Sequence, residues 1–455
     1  MSFDLLERKF VSRLAASRFY PKAARIFTLA AFVLLIAGGL AAPHVSSGMT
    51  GTLRNTNLAS LIVWSLWWPL VIIGAVVLGR IWCQVCPMEM VNSKAASVGR
   101  KKPVPRFLKS GWGTAAFYIL ALVGFIRTFW AHRYPERMSI FFLFLLAAAL
   151  IAGFLYEKRA FCGYLCPVGR ILGLYAGCSI LEWRVRDRSV CEACRTKDCV
   201  DGCGSGLYPP SILTNRDCLD CTHCLKVCPS KNFRWSLRRP MADFFTGLKM
   251  SALDVFLLTI VSGLVVYELA EEWSPARKVL EFLPAAINAG LGFSGEAANF
   301  VQALVLFVIY PGLLFLLPGL VGMRLNRTTL LESVKTFGLL FLPLAALGHL
   351  VKATIRIVSR LPYYPLAVQD PVGLETAKAI AAGTLKTNGK IVEALAPWVS
   401  GLSILAMAFA LVSLGMIARK SPVLQSFGKR GRISHAAFAA LYGAALLAGL
   451  ILARF

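Results

Sequence analysis

Nine long apolar runs, nearly free of charge, constrain this chain more than any other feature. They lie at 26–42, 59–78, 112–130, 139–156, 249–267, 299–321, 334–352, 398–418 and 434–453. About 20 apolar residues are what a helix needs to cross a bilayer, where only helices and closed barrels satisfy every backbone N–H and C=O. Composition agrees: 57% of residues are hydrophobic and 16% charged, with a mean hydropathy of +0.64, where a soluble chain carries roughly 25% charged residues. The predicted fold is an all-α polytopic membrane protein of nine transmembrane helices. The first run follows 25 residues with six Lys/Arg and precedes no convincing small-residue cleavage site, so it reads as a span and not a cleaved signal.

A net charge of +26 suggests nucleic acid until the charges are placed. With the N-terminus inside, the inner segments hold 36 of the 49 Lys/Arg and the outer side holds 13. That asymmetry is the positive-inside rule of an inner (cytoplasmic) membrane protein. It accounts for the charge through the bilayer alone, and no nucleic-acid motif competes. Segments 79–111, 157–248 and 419–433 are thereby assigned to the cytoplasm, and 43–58, 268–298, 353–397 and the C-terminus to the other side.

All thirteen cysteines lie between 83 and 228, on the reducing side of that topology. Metal or redox chemistry is therefore favoured over disulfides. Cys218-Leu-Asp-Cys221-Thr-His-Cys224-Leu-Lys-Val-Cys228-Pro229 is the C-x2-C-x2-C-x3-C-P run of bacterial ferredoxins, whose fourth cysteine serves the other cluster. Upstream, Cys191, Cys194, Cys199 and Cys203 follow C-x2-C-x4-C-x3-C, two residues longer in the middle and without the proline. Read with crossed fourth ligands, Cys191, Cys194, Cys199 and Cys228 hold one [4Fe–4S] cluster, and Cys218, Cys221, Cys224 and Cys203 the other. Soft thiolates suit iron in such clusters. Paired CxxC motifs also build zinc ribbons, but eight cysteines in two such runs are the commoner signature of clusters. The predicted organisation is a membrane domain over 1–160, a small cytoplasmic α+β ferredoxin-like insert over 161–245, and a C-terminal helix bundle over 246–455.

Two further cysteine pairs match each other. The second span ends Arg80-Ile-Trp82-Cys83-Gln-Val-Cys86-Pro87, and the fourth ends Arg159-Ala-Phe161-Cys162-Gly-Tyr-Leu-Cys166-Pro167. This is an internal repeat of a two-helix hairpin. Proline after the second cysteine ends each helix, and Arg80 and Arg159 are expected at the lipid headgroup level. Cys83, Cys86, Cys162 and Cys166 converge on a metal ion, a third cluster, a haem-like group or a dithiol. Cys178 stands alone and reads as buried and inert.

At these residues the chain resembles the NapH/NosR/CcoG-type membrane polyferredoxins. The resemblance covers about 20–270 and rests on Cys162-Gly-Tyr-Leu-Cys166-Pro-Val-Gly and the ferredoxin run. Cys83-Gln-Val-Cys86-Pro is one residue shorter than the family form. The spans after 299 are similar to the FtrD-like partner of ferrous-iron permeases. The resemblance implies electron transfer between a cytoplasmic or quinone pool and a periplasmic redox partner, linked to iron or copper handling.

The rear half has no cysteine. His349 and His435 lack the multiplicity of a b-type haem bundle. Asp254 and Glu268 read as end positions of span five, and Glu271 and Glu272 as a solvated acidic edge. Pro311, Pro318 and Pro343 are expected to kink spans six and seven. The segment 353–397 reads as an outer loop where a periplasmic partner docks. A redox-coupled metal transporter is the rival reading; few charged residues lie mid-span to line its path. A cluster-based regulator or assembly factor is a third.

Overall fold

The computed structural model of the chain describes residues 3–46 and 48–454. It is an all-α polytopic architecture carrying one two-stranded sheet. Eight helices are long and apolar enough to cross a membrane. The first four elements at the membrane are α1 (Lys22–Leu40), α2 (Leu58–Leu78), α3 (Pro87–Val98) and α4 (Trp112–Thr128). Then follow α5 (Pro135–Leu155), α6 (Pro167–Tyr175), β1 (Leu181–Val185) and β2 (Phe233–Leu237). The rear half contains α7 (Ala252–Ala270), α8 (Ser274–Leu291), α9 (Gly295–Asn326), α10 (Leu330–Arg360), α11 (Leu374–Ala381), α12 (Lys390–Lys420) and α13 (Lys429–Ala453). All nine apolar runs fall on helices. The run at 112–130 is the short one: α4 ends at Thr128 and is π-helical from Leu120.

Proline shapes two other spans. Val63–Trp67 in α2 and Val305–Ile309 in α9 are π-helical, and Pro69 and Pro311 follow them by two residues. A proline donates no N–H, so the preceding turn widens to re-pair its carbonyls. Pro318 and Pro343 lie inside α9 and α10.

The two front hairpins interlock. α3, which leaves the first Cys-Pro turn, packs on α5 of the second hairpin, while α6, which leaves the second turn, packs on α2. The buried Asn92 side chain on α3 donates to the Ala149 carbonyl of α5 at 3.1 Å. Opposite it is Gly153, where a Cβ would run into the Asn92 backbone.

In the rear half α10 is the central helix, with 83% of its apolar stretch buried. Phe315 of α9 meets Phe337 and Phe341 of α10 edge-on, each at 5.2 Å between ring centres. The segment 353–397 is not a loop, as expected from its prolines and charges. α10 runs on to Arg360, a short helix covers Tyr364–Gln369, α11 follows, and α12 starts at Lys390. It is fastened to the start of α2: the Asn57 amide donates to the Val372 carbonyl at 3.1 Å, and Thr56 Oγ1 to that of Gly373 at 2.8 Å. Likewise 268–298, read as an outer segment, contains α8.

β1 and β2 pair antiparallel with Trp183 opposite Trp235. Residues 3–16 join the core of this insert: Leu6 and Ala15 bury against Trp183, Leu225 and Phe233, and Asp4 pairs with Arg186 at 2.6 Å. The insert is pinned to the bundle by Asp254. It caps α7 through a reciprocal bond pair with Ser251 and takes Arg170 at 2.6 Å and Arg216 at 3.3 Å.

Replacing Gly153 by alanine drives a methyl into the α3 backbone. Gly153→Ala is expected to cost about 1–3 kcal/mol, read as an earlier thermal unfolding in detergent. Gly74→Ala, at a position with nothing within 4 Å, should leave the transition in place.

Candidate iron–sulfur sites

The cysteines of the insert separate into two rings. Cys191, Cys194, Cys199 and Cys228 line one small cavity with Val190, Tyr208 and Phe233. Cys203, Cys218, Cys221 and Cys224 line a second, wider one of about 770 Å³. Each ring thus draws three cysteines from one run and one from the other. Local backbone explains how short runs wrap round a group: Lys197, Asp220 and Thr222 adopt left-handed φ of 53°, 53° and 59°. Such residues turn successive N–H groups towards a concavity that suits a negatively charged centre. The Asn232 amide donates to Cys191 Sγ at 3.3 Å, and Leu207 N–H to Cys203 Sγ at 3.4 Å. Backbone N–H groups at Lys197 and Thr196 pull the Cys194 thiol below its ordinary value. Burial pushes Cys191, Cys199, Cys218, Cys221 and Cys224 up.

Under the second ring lie the four membrane-end cysteines, and the repeat seen in sequence is a repeat of backbone. In each copy a five-residue helix (Ile81–Val85, Ala160–Tyr164) precedes an extended cysteine, and proline opens the next helix. Cys83 is buried and Cys86, Cys162 and Cys166 are half-buried. Burial raises the Cys86 thiol well above its usual value, and Cys162, Cys166 and Cys83 raise it further, so the four sulfurs share one locality. Burial likewise takes Cys162 up to about 12 and Cys166 up to about 11. Thiols raised in this way, as Cys86, Cys162 and Cys166 are, stay protonated unless a cation offsets the charge, and metal coordination deprotonates thiols outright. The donor set therefore fits an iron centre, as do the two rings of the insert. Among the described residues no group of three or more His, Cys, Asp or Glu is arranged for a single metal ion.

Arg80 and Arg159 do not reach out to the headgroups as expected; both turn inward. Arg80 Nη2 donates to Cys83 Sγ at 3.8 Å and Nη1 to the Arg216 carbonyl of the insert at 2.9 Å. Arg159 pairs with Glu89 at 3.2 Å, and Arg25 of α1 pairs with the same carboxylate at 3.0 Å. Arg159 also abuts Gly204, next to Cys203, and feels the charge of Cys162, Cys83 and Cys221. One guanidinium thus sits between the second ring and the membrane-end thiols. A buried carboxylate explains the geometry: Glu89 is 4% exposed and recruits cations that would otherwise snorkel.

Sequence reasoning missed Glu89, Gln84 and the clasp made by α1. Tyr20 donates to Gln84 Oε1 at 2.5 Å, and Arg25 Nε to the Gln84 carbonyl at 2.6 Å. Only the position of Glu89, three residues after Cys86 in the first turn of a helix, could have marked it. Cys178 is buried as expected, at 3% exposure. His349 and His435 lie apart: His349 Nδ1 shares a hydrogen bond with Tyr175 at 3.2 Å, and His435 Nε2 one with Ser333 at 3.3 Å.

A family profile described as a 4Fe-4S binding domain matches the chain twice, over 60–105 and 139–190. The first match contains Cys83 and Cys86 and the second Cys162 and Cys166, so both fall on the membrane-end pairs. Ferredoxin-type protein NapH of Haemophilus influenzae is 27% identical over 229 residues, 45% of this chain and 74% of that protein. Protein NirI of Paracoccus denitrificans is 29% identical over 228 residues, 43% of this chain and 32% of that protein. The ferredoxin-type protein MauN of the same organism is 30% identical over 131 residues, 26% of this chain and 46% of that protein. No solved structure matches. The paired Cys-Pro hairpins, the ferredoxin run and these relatives together support a likeness to the NapH-type membrane polyferredoxins.

Proposed function

We propose that the chain relays single electrons through two [4Fe–4S] clusters in the insert and a third iron–sulfur centre at Cys83, Cys86, Cys162 and Cys166. Cys191, Cys194, Cys199 and Cys228 hold the first, and Cys203, Cys218, Cys221 and Cys224 the second. Such groups supply one-electron redox capacity. The observation that carries the reading is the continuity of the three thiol groups. Cys224 of the second ring feels Cys199 of the first, and Arg159 feels Cys221 on one side and Cys162 and Cys83 on the other. The family matches on the membrane-end pairs support a cluster there over a dithiol. The names of the relatives, ferredoxin-type proteins, support electron transfer over transport or regulation.

The chain's own residues have definite parts in this. Arg159 holds positive charge between two centres and favours their reduced forms. Gly169 N–H donates to Cys166 Sγ at 3.4 Å and steadies that thiolate. The interlocked α3 and α6 hold the two cysteine pairs at a common place. The charge asymmetry supports an insert facing the cytoplasm, with exchange between a cytoplasmic or quinone pool there and a redox partner at the opposite face.

Two measurements test this. Anaerobically purified protein should contain about 12 Fe and 12 acid-labile sulfides per chain, the content of three cubanes. Cys83→Ser with Cys162→Ser should lower both to about 8; a wild-type content of about 8, unchanged in the variant, would leave the membrane-end thiols without a cluster. Crossed ligation is tested separately by EPR of the reduced protein. Cys203→Ser and Cys218→Ser should alter the same signal, and Cys228→Ser and Cys191→Ser the other. If Cys203→Ser instead alters the signal that Cys191→Ser alters, the crossing is wrong.

A further inference from the structure

Where the insert sits over the bundle, one cavity is far larger than its neighbour. The first cysteine ring encloses about 30 Å³ and the second opens into about 770 Å³. Four thiols need no more room in one ring than in the other, so most of the second space serves something else. Its size is that of a small-molecule site, roughly 300–1,000 Å³. The floor is made of helix ends on the insert side of the bundle: Lys22 and Arg25 open α1, Ala96 and Ser97 close α3, and Glu157, Lys158 and Arg159 follow α5. The insert forms the roof, between Asp201 and Lys226.

Seven cations line this space. Arg18, Lys22 and Arg25 come from the N-terminal side, Lys101, Lys158 and Arg159 from the loops after α3 and α5, and Lys226 from the insert. Three carboxylates line it too, and they do not balance the cations. Glu89 is shared by Arg25 at 3.0 Å and Arg159 at 3.2 Å. Arg25, Arg159 and Lys226 also lie in reach of Cys221, so they answer the charge of the second ring. That leaves Arg18, Lys22, Lys101 and Lys158, all exposed, against Glu157 and Asp201. None of these six makes an ion pair among the described residues. Deeper in, Thr222 lines the same cavity at 3% exposure, and its hydroxyl has no hydrogen-bond partner among the described residues.

Apolar side chains stand beside the cations. Phe19 next to Arg18, Ile26 and Phe27 after Arg25, and Val98 next to Ser97 are 65%, 59%, 74% and 78% exposed. A free anion gains nothing from such neighbours. A phospholipid lays its acyl chains on them and its phosphate among the cations, as basic pockets at the cytoplasmic end of membrane helices allow. Ammonium and guanidinium groups both serve phosphate. The positive-inside pattern alone spreads Lys and Arg along the inner segments and does not gather them in one cavity.

We propose that the cavity between the helix ends and the insert seats the head of an anionic phospholipid, with Arg18, Lys22, Lys101 and Lys158 as its phosphate contacts and Thr222 as a donor deeper in. The head touches both floor and roof, so it clamps the insert to the bundle. Cavity and cations are present whatever the thiols hold, and the site goes beyond the electron relay.

The test uses the full-length, cluster-loaded protein in a neutral detergent. Cardiolipin is the probe, phosphatidylcholine the zwitterionic comparison and inorganic phosphate the free anion. The wild type should retain cardiolipin in native mass spectrometry, bind it saturably and melt later with it, and should do none of these with phosphatidylcholine. Lys22→Gln with Lys158→Gln should weaken cardiolipin binding about tenfold or more. Both residues are exposed and unpaired, so this variant should fold with wild-type iron content. Lys22→Arg with Lys158→Arg keeps the charge and should bind as the wild type does. Lys420→Gln with Lys429→Gln removes as much charge from another inner segment and should also leave binding unchanged. The proposal is overturned if the wild type takes cardiolipin no better than phosphatidylcholine, or if the Lys420 and Lys429 variant loses as much as the Lys22 and Lys158 variant. Saturable phosphate binding with no lipid retained overturns it as well. Iron measured in the same samples keeps two readings apart: low iron in the wild type counts against the relay and leaves the lipid result standing.

Discussion

The burial of four thiols beside one carboxylate at the membrane boundary is the constraint from which the rest of the front half follows. Glu89 is almost wholly inaccessible and lies next to sulfurs that carry negative charge whenever they ligate metal. Charge of one sign in low dielectric has to be answered locally. Arg25 and Arg159 answer it, arriving from the start of α1 and the end of α5. That demand draws α1 over the first Cys-Pro turn and turns Arg159 away from the headgroups. It also leaves Arg159 wedged against Gly204, where the same cation serves the loop of the second ring.

Interlocking makes this arrangement rigid. Each Cys-Pro turn throws its following helix onto the opposite hairpin, so neither pair of cysteines can shift without moving both hairpins. The insert is held in turn by polar contacts at three places. Arg80 reaches the Arg216 carbonyl, Asp254 of α7 gathers Arg170 and Arg216, and Asp4 ties the N-terminal segment to the sheet edge. A buried acid, Asp243, completes the joint: it accepts from Asn215 N–H at 2.7 Å and from Arg238. Hydrogen-bonded ion pairs of this kind fix orientation more than they add stability.

Particular residues show where reading from sequence succeeded. The apolar runs located every membrane helix because hydrocarbon admits almost no other solution. The eight cysteines from Cys191 to Cys228 line two neighbouring cavities, four to each, and their ligand sets remain part of the proposal above. Asp254 was recognised as an end residue and is a cap. Elsewhere a local signal pointed the wrong way. Arg80 and Arg159 carry the pattern of headgroup anchors, yet their partners Glu89 and Arg216 lie far along the chain or on another element. Arg356 and Arg360 looked like the start of an outer loop because charge and proline end hydropathic runs; α10 continues through Arg356 to Arg360.

By itself, the sequence determined what depends on composition and short-range spacing: a multi-pass helical bundle, and cysteines gathered in two close-spaced runs and two repeated membrane-end pairs. Both follow from local physics, the cost of unpaired backbone in lipid and the reach of a few residues around a cluster. Tertiary structure alone decided which charges meet. The Arg25–Glu89–Arg159 network and the N-terminal segment on the insert join residues tens to hundreds of positions apart. Such pairings are set by how helices pack, and packing leaves no trace in the spacing of the residues it brings together.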